Sequence, residues 1–176
     1  VEPVKAYDEE GYFQSNLQSV IQNGHPEIWE PFLYEIGGEE QLITSIVYPV
    51  TIDDAVVGVT GINMTLEKID ELVQEFTFYD TGFAGLITAN GNVIAHQNDE
   101  LIGENYYDTP AMFGHPETDN VIIDILNFEQ KLIEGDSDTA NGQVFRLFTP
   151  LEINEVVFPW ATFIAVPISE AMAVSD

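Results

Sequence analysis

The sequence predicts an α+β fold in which antiparallel sheets are flanked by helices, organised as two modules with the first incomplete. Three observations predict it. Paired β-branched and aromatic runs face each other across short turns, three times along the chain. Apolar residues at helical spacing stand before, between and after those pairs. No period of 20–50 residues repeats, which excludes a solenoid.

The elements follow in order. Residues 1–10 lack periodicity and read as a lead-in. Phe13, Leu17, Val20 and Ile21 give Tyr12–Ile21 a helical stripe, stopped by Asn23-Gly24-His25-Pro26. Phe32–Ile36 is a short strand ending at Gly37-Gly38. Gln41–Val50 and Ala55–Met64 form a hairpin across Asp53-Asp54. Thr65 caps a helix whose stripe is Leu66, Ile69, Leu72, Val73 and Phe76. Gly82–Ala89 and Val93–His96 flank Asn90-Gly91, the strongest hairpin signal in the chain. Gly103–Phe113 reads as loop with one helical turn, and Asn120–Ile133 as a helix carrying Val121, Ile125, Phe128 and Leu132 on one face. Gly135–Gly142 is a polar turn into a last hairpin, Val144–Leu151 with Val156–Ile168. Ser169 is expected to cap a terminal helix. The boundary between the modules falls after the helix at 65–78, giving units 1–78 and 79–176.

Composition narrows the partners. With 45% hydrophobic residues the 176-residue chain is too apolar to be disordered and long enough to bury a core. Thirty-one acids against four bases leave a formal charge of −27, which repels nucleic acid and anionic lipid alike. The acids are dispersed, so they form a solvated coat suited to a salty medium. There is no cysteine, hence no disulfide, thiolate metal site or thiol nucleophile. No signal peptide opens the sequence, and its longest apolar stretch, Val156–Val166, is interrupted by Pro159 and too short to span a bilayer.

The motifs, taken in succession, resemble a known family. Trp29-Glu30-Pro31-Phe32, then Ser45-Ile46-Val47-Tyr48-Pro49-Val50, then Val57-Gly58-Val59-Thr60-Gly61-Ile62-Asn63-Met64-Thr65-Leu66 resemble the second part of the membrane-distal module of double-Cache sensor domains. Gly82–Gln97 is similar to the first hairpin of the membrane-proximal module. Pro159-Trp160-Ala161 through Val166-Pro167-Ile168-Ser169-Glu170 is similar to its last strand and exit into a signalling helix. The resemblance implies a PAS-like Cache architecture on the periplasmic or extracellular face of the membrane. It implies a chemoreceptor or sensor kinase that binds a small molecule, works as a homodimer, and meets the membrane only through flanking helices absent from these residues. A complete distal module would also carry a long dimerisation helix and a hairpin of its own, whereas only Tyr12–Ile21 precedes Trp29.

The same resemblance directs attention to Trp29, Phe32, Tyr34, Ser45, Tyr48 and Asn63 as ligand-binding residues. Amino-acid-binding members hold the ligand ammonium with an Asp where this chain has Asn63, and with a second Asp where it has Tyr34. Their carboxylate-gripping Arg-x-Trp-Tyr element has no counterpart, since the single arginine, Arg146, lies in the other half. A typical α-amino acid is therefore not the expected ligand. Asn63 either contacts a polar neutral or cationic solute or closes the strand end with a local hydrogen bond. Trp29, Phe32, Tyr34 and Tyr48 either line an aromatic cage or fill a core.

Nothing in the sequence points to catalysis: no nucleophile elbow, phosphate loop, zinc helix or dinucleotide fingerprint is present, and no cofactor is expected. Residues 136–142 look like a calcium loop but carry the glycine one place late and Leu147 at the twelfth position, so no metal is expected either. His25 and His115 each precede a proline, and His96 reads as a surface residue ending a strand. The alternative function is a degenerate Cache module that serves as a dimerisation or protein-interaction domain without a small ligand.

Overall fold

The structure, a computed structural model, describes residues 11–106, 121, 124–137, 139–140, 142–151 and 160–173. Helix α1 spans Tyr12–Asn23 and ends on Gly24, whose φ of +67° lets its N–H reach the Val20 carbonyl at 3.0 Å. Two short strands and a long hairpin follow: β1 (Glu27–Ile28), β2 (Phe32–Ile36), β3 (Glu39–Ile52) and β4 (Ala55–Thr65). The short β1 carries no signal of its own in the sequence. Strands β1 and β2 share one edge of β3, and β4 pairs along the other. The β3–β4 turn places Asp53 and Asp54 at φ +50° and +63°, left-handed values that a short polar side chain tolerates. At Gly61 a Cβ would stand 2.5 Å from the Ile46 carbonyl oxygen, so only glycine lets β4 lie this close to β3. Helix α1 covers one face of this first sheet, where Val20, Trp29 and Val47 are buried together and Leu17, Phe32 and Val59 pack around them.

Helix α2 (Leu66–Gln74) leads out of β4. The Thr65 hydroxyl accepts the Lys68 N–H at 3.3 Å, as a cap should. Replacing Thr65 with alanine is expected to cost about 1 kcal/mol, read as a lower urea midpoint with an unchanged m-value. Leu66 and Ile69 form the buried stripe, whereas Leu72 and Phe76 point into solvent, so the apolar face is narrower than its spacing predicts.

The second sheet runs β5 (Thr77–Phe78), β6 (Gly82–Ile87), β10 (Ala161–Pro167), β9 (Gly142–Pro150) and β8 (Lys131–Ser137), with β7 (Val93–Ala95) sharing the β5 edge of β6. Thr77–Phe78, inside the stretch assigned above to the first module, therefore pair in the second sheet. Every residue of β6 is buried because both of its faces are covered. One face packs with Leu101, Tyr106, Val121 and Ile125 in the main core. The other meets α2 and the near end of the first sheet, where Leu86, Ile94, Ala95 and Trp160 lie against Leu66, Ile69, Leu42 and Met64. Gly85 admits the Phe163 ring, whose Cζ would stand 2.2 Å from a Cβ there.

Three expectations are corrected. The helix over Asn120–Ile133 does not run its length: residues 124–126 are helical, Phe128 turns the chain at φ +59°, and Lys131–Ser137 is strand β8. Ile133 and Ser137 alternate inward in that strand, a pattern hidden by Glu134, Gly135 and Asp136. The terminal helix α3 spans Ile168–Ala173, so Ser169 lies inside it rather than capping it. The expected second strand of the last hairpin begins at Ala161, and residues 152–159 lie outside the described residues. Also outside them are His115, most of the expected loop at 103–113, and two positions, Asp138 and Asn141, of the rejected calcium loop.

Candidate ligand-binding site

The antiparallel register sorts the six candidate residues by face. Ser45 stands opposite Asn63, Phe32 opposite Ile43, and Tyr34 opposite Gln41. Because side chains alternate along a strand, Ser45, Asn63, Phe32 and Tyr34 share the face that α1 covers, and Trp29 joins them. The Trp29 N–H donates to the Ser45 carbonyl at 2.9 Å, and its own carbonyl accepts the Thr44 hydroxyl at 2.6 Å. The rings of Trp29 and Phe32 are 6.3 Å apart and tilted, those of Phe32 and Tyr34 6.4 Å apart and edge-on.

Burial differs across this set. Trp29 is 2% exposed and Ser45 1%, Phe32 and Tyr34 are half-buried, and Asn63 is exposed. Trp29 is thus a core residue. The Ser45 hydroxyl donates to Asn63 Oδ1 at 2.7 Å, which leaves the Asn63 amide as a donor group on this face. That combination can take a polar neutral or cationic solute. It offers no cation to a carboxylate.

Tyr48 does not belong to the set. It stands across from Thr60, beside the Ile46–Ile62 pair, on the opposite face of the sheet. There Ile46, Tyr48, Thr60, Gly61 and Ile62 line a shallow groove of about 350 Å³. The physical reason is parity: Ser45 and Tyr48 are three residues apart on one strand, and an odd separation places them on opposite faces.

The sequence reading missed the contacts that bind the two sheets together. Glu30, next to Trp29, accepts the Asn92 side-chain N–H at 2.7 Å, and Asn92 accepts in turn from Asn105 at 3.0 Å. Asp70 on α2 accepts the His96 backbone N–H at 3.0 Å and the Gln74 amide at 3.0 Å. A second hollow of about 430 Å³ opens at this junction, its lining including Thr65, Glu67, Asp70, Asp99 and Ile102. Only the general rule that carboxylates seek N–H donors was available beforehand, and the partners lie 62 and 26 residues away.

His96 is likewise not the surface residue expected. It is 3% exposed, with its ring edge-on to Phe83 at 5.1 Å and tilted to Phe163 at 5.7 Å, and its Nδ1 accepts the Asn98 N–H at 2.9 Å. Burial, reinforced by the Arg146 guanidinium, pushes its pKa down to about 4. Arg146, itself 2% exposed, donates to the Asp136 carbonyl at 2.8 Å. Among the described residues no group of three or more His, Asp or Glu side chains is placed to hold a metal ion, and no helix is long and apolar enough to cross a membrane.

Comparison with known proteins places this geometry. No family model matches the chain. The chain is 23% identical over 150 residues to the methyl-accepting chemotaxis protein TlpQ of Pseudomonas aeruginosa, covering 83% of this chain and 20% of that protein. It is 27% identical over 78 residues to the methyl-accepting chemotaxis protein PscA of Pseudomonas syringae pv. tomato, covering 44% of this chain and 12% of that protein. Among solved structures, the extracellular domain of the putative histidine kinase mmHK1S-Z3 superposes with a TM-score of 0.73 at 26% identity, over 90% of this chain and 55% of that one. The ligand-binding domain of the Pseudomonas fluorescens chemoreceptor CtaA in complex with L-isoleucine gives 0.71 at 18% identity, over 99% of this chain and 64% of that one. The fold is that of PAS/Cache-like sensor domains of chemoreceptors and histidine kinases. The chain spans less than two thirds of those solved domains and a fifth or less of the chemotaxis proteins.

Proposed function

We propose that this chain is the extracytoplasmic, small-solute-sensing region of a transmembrane chemoreceptor or sensor kinase, of the double-Cache type, with units 1–78 and 79–176. It acts as a homodimer on the periplasmic or extracellular face and performs no catalysis. The solute binds on the α1-facing side of the first sheet, against Phe32, Tyr34 and the Ser45–Asn63 pair, with Trp29 as the floor. The observation that carries this reading is the placement of those side chains on one face, in a fold shared with domains solved in complex with ligands. An amino acid gripped by a cation at its carboxylate falls outside this reading, since no lysine or arginine among the described residues belongs to this face. Its counterpart is a neutral or cationic solute, favoured further by the chain's net charge of −27.

A thermal-shift screen of amines, polyols, nucleobases and carboxylates tests the reading. Ligand at a hundred times its Kd adds about 2.7 kcal/mol of stability, which for a chain of this size is a rise of roughly 5–10 °C in Tm. A hit among amines or neutral polar compounds is the expected outcome. A Tm unmoved by every class at saturating concentration would remove direct sensing from the proposal.

A further inference from the structure

Helix α3, the last described element, has no buried side chain, and its Met172 is 60% exposed. It packs on β9 and β10. An element with so little apolar contact opens at low cost. One carboxylate fastens it. Glu170 Oε2 accepts the backbone N–H of Asp80 and that of Thr81, each at 3.1 Å, and Oε1 accepts the Thr81 hydroxyl at 2.5 Å. The Thr81 hydroxyl bond, with the two backbone bonds behind it, holds this carboxyl below the usual carboxylate range.

All three donors sit in the turn between β5 and β6, where Tyr79 takes φ +55°. That turn follows α2 after a few residues, and α2 begins at Leu66, three residues beyond Asn63. The exit helix is therefore fastened to the β5–β6 turn, into which the chain runs from α2, by a side chain 89 and 90 residues away from its partners. We infer that Glu170 is a positioning residue that makes the exit helix α3 move with α2, so that a displacement of β4 reaches the C-terminal end of the chain. The purpose of this clasp rests on the sensor reading, but its test needs no ligand.

The chain contains no cysteine, so Leu72→Cys on α2 and Met172→Cys on α3, both at exposed positions, take spin labels at unique sites. The label-to-label distance distribution is expected to be single and narrow in the otherwise native chain. Glu170→Ala is expected to widen it about twofold and to speed amide exchange at Asp80 and Thr81 by roughly tenfold or more, with β9 amides at Val144 and Phe148 unchanged. Thr81→Val, which removes one of three bonds, is expected to fall between. A distance distribution that Glu170→Ala leaves unchanged overturns the inference. So does exchange that rises equally across β9, because Glu170 would then support the module as a whole rather than the exit helix. A failed ligand screen alongside a widened distribution would sink the sensor reading and leave the clasp standing.

Discussion

Replacing Trp29 with alanine is expected to destabilise the fold by roughly 3–5 kcal/mol, a large part of a typical domain's 5–15 kcal/mol. The ring is 2% exposed and lies among Val20, Val47 and Phe32, so its removal leaves a hole that α1 cannot close without leaving the sheet. Its backbone bonds to Ser45 and Thr44 hold β1 against β3 and survive the substitution, which confines the loss to packing. Urea unfolding followed by circular dichroism measures the effect. A cost below about 1 kcal/mol would mean that Trp29 is a pocket wall rather than core. Asn63→Ala, which leaves the buried Ser45 hydroxyl without this acceptor, is expected to cost about 1 kcal/mol, well short of the Trp29 loss, while weakening ligand binding. The two substitutions thereby separate the floor of the site from its recognition edge.

Acidification is expected to weaken the second sheet through His96. Its folded-state pKa of about 4 lies below the ordinary 6.5, so the proton is bound more readily by the unfolded chain. The stability that follows from keeping His96 neutral is complete above pH 6.5 and is lost as the pH falls toward 4. From those two values the loss amounts to about 2 kcal/mol by pH 5. Over the same range the many carboxylates begin to protonate, which relieves their mutual repulsion and acts in the opposite direction. The difference between the native chain and His96→Asn isolates the histidine, since asparagine can still accept the Asn98 N–H and does not titrate. Native stability should fall relative to the variant between pH 6.5 and 4. Parallel curves would show that His96 takes up its proton inside the fold.

Local chemistry accounts for what was legible. The Asp53-Asp54 and Asn90-Gly91 turns, the Gly24 stop and the Thr65 cap each rest on residues a few positions apart, and their hairpins and helices stand where the sequence places them. Strand β8 was not legible, because its inward residues are interrupted by glycine and acids and because the break before it is a left-handed Phe128 that no propensity announces. Among the site residues, Asn63, Ser45, Phe32 and Tyr34 share one face of the first sheet. Tyr48 does not, and strand parity alone could have excluded it. The burial of His96, the Glu30–Asn92 bond and the Glu170 clasp depend on contacts 62 to 90 residues apart or on the covering of a sheet face, which a linear pattern does not carry.

The location of the binding site is tested most directly by amide chemical-shift mapping of the chain with a stabilising solute from the screen. The expected result is a set of shifts at Phe32, Tyr34, Ser45 and Asn63, with affinity falling about tenfold, or 1.4 kcal/mol, in Asn63→Ala. Shifts confined to the second sheet, or to the Tyr48–Ile62 groove on the opposite face, would contradict it.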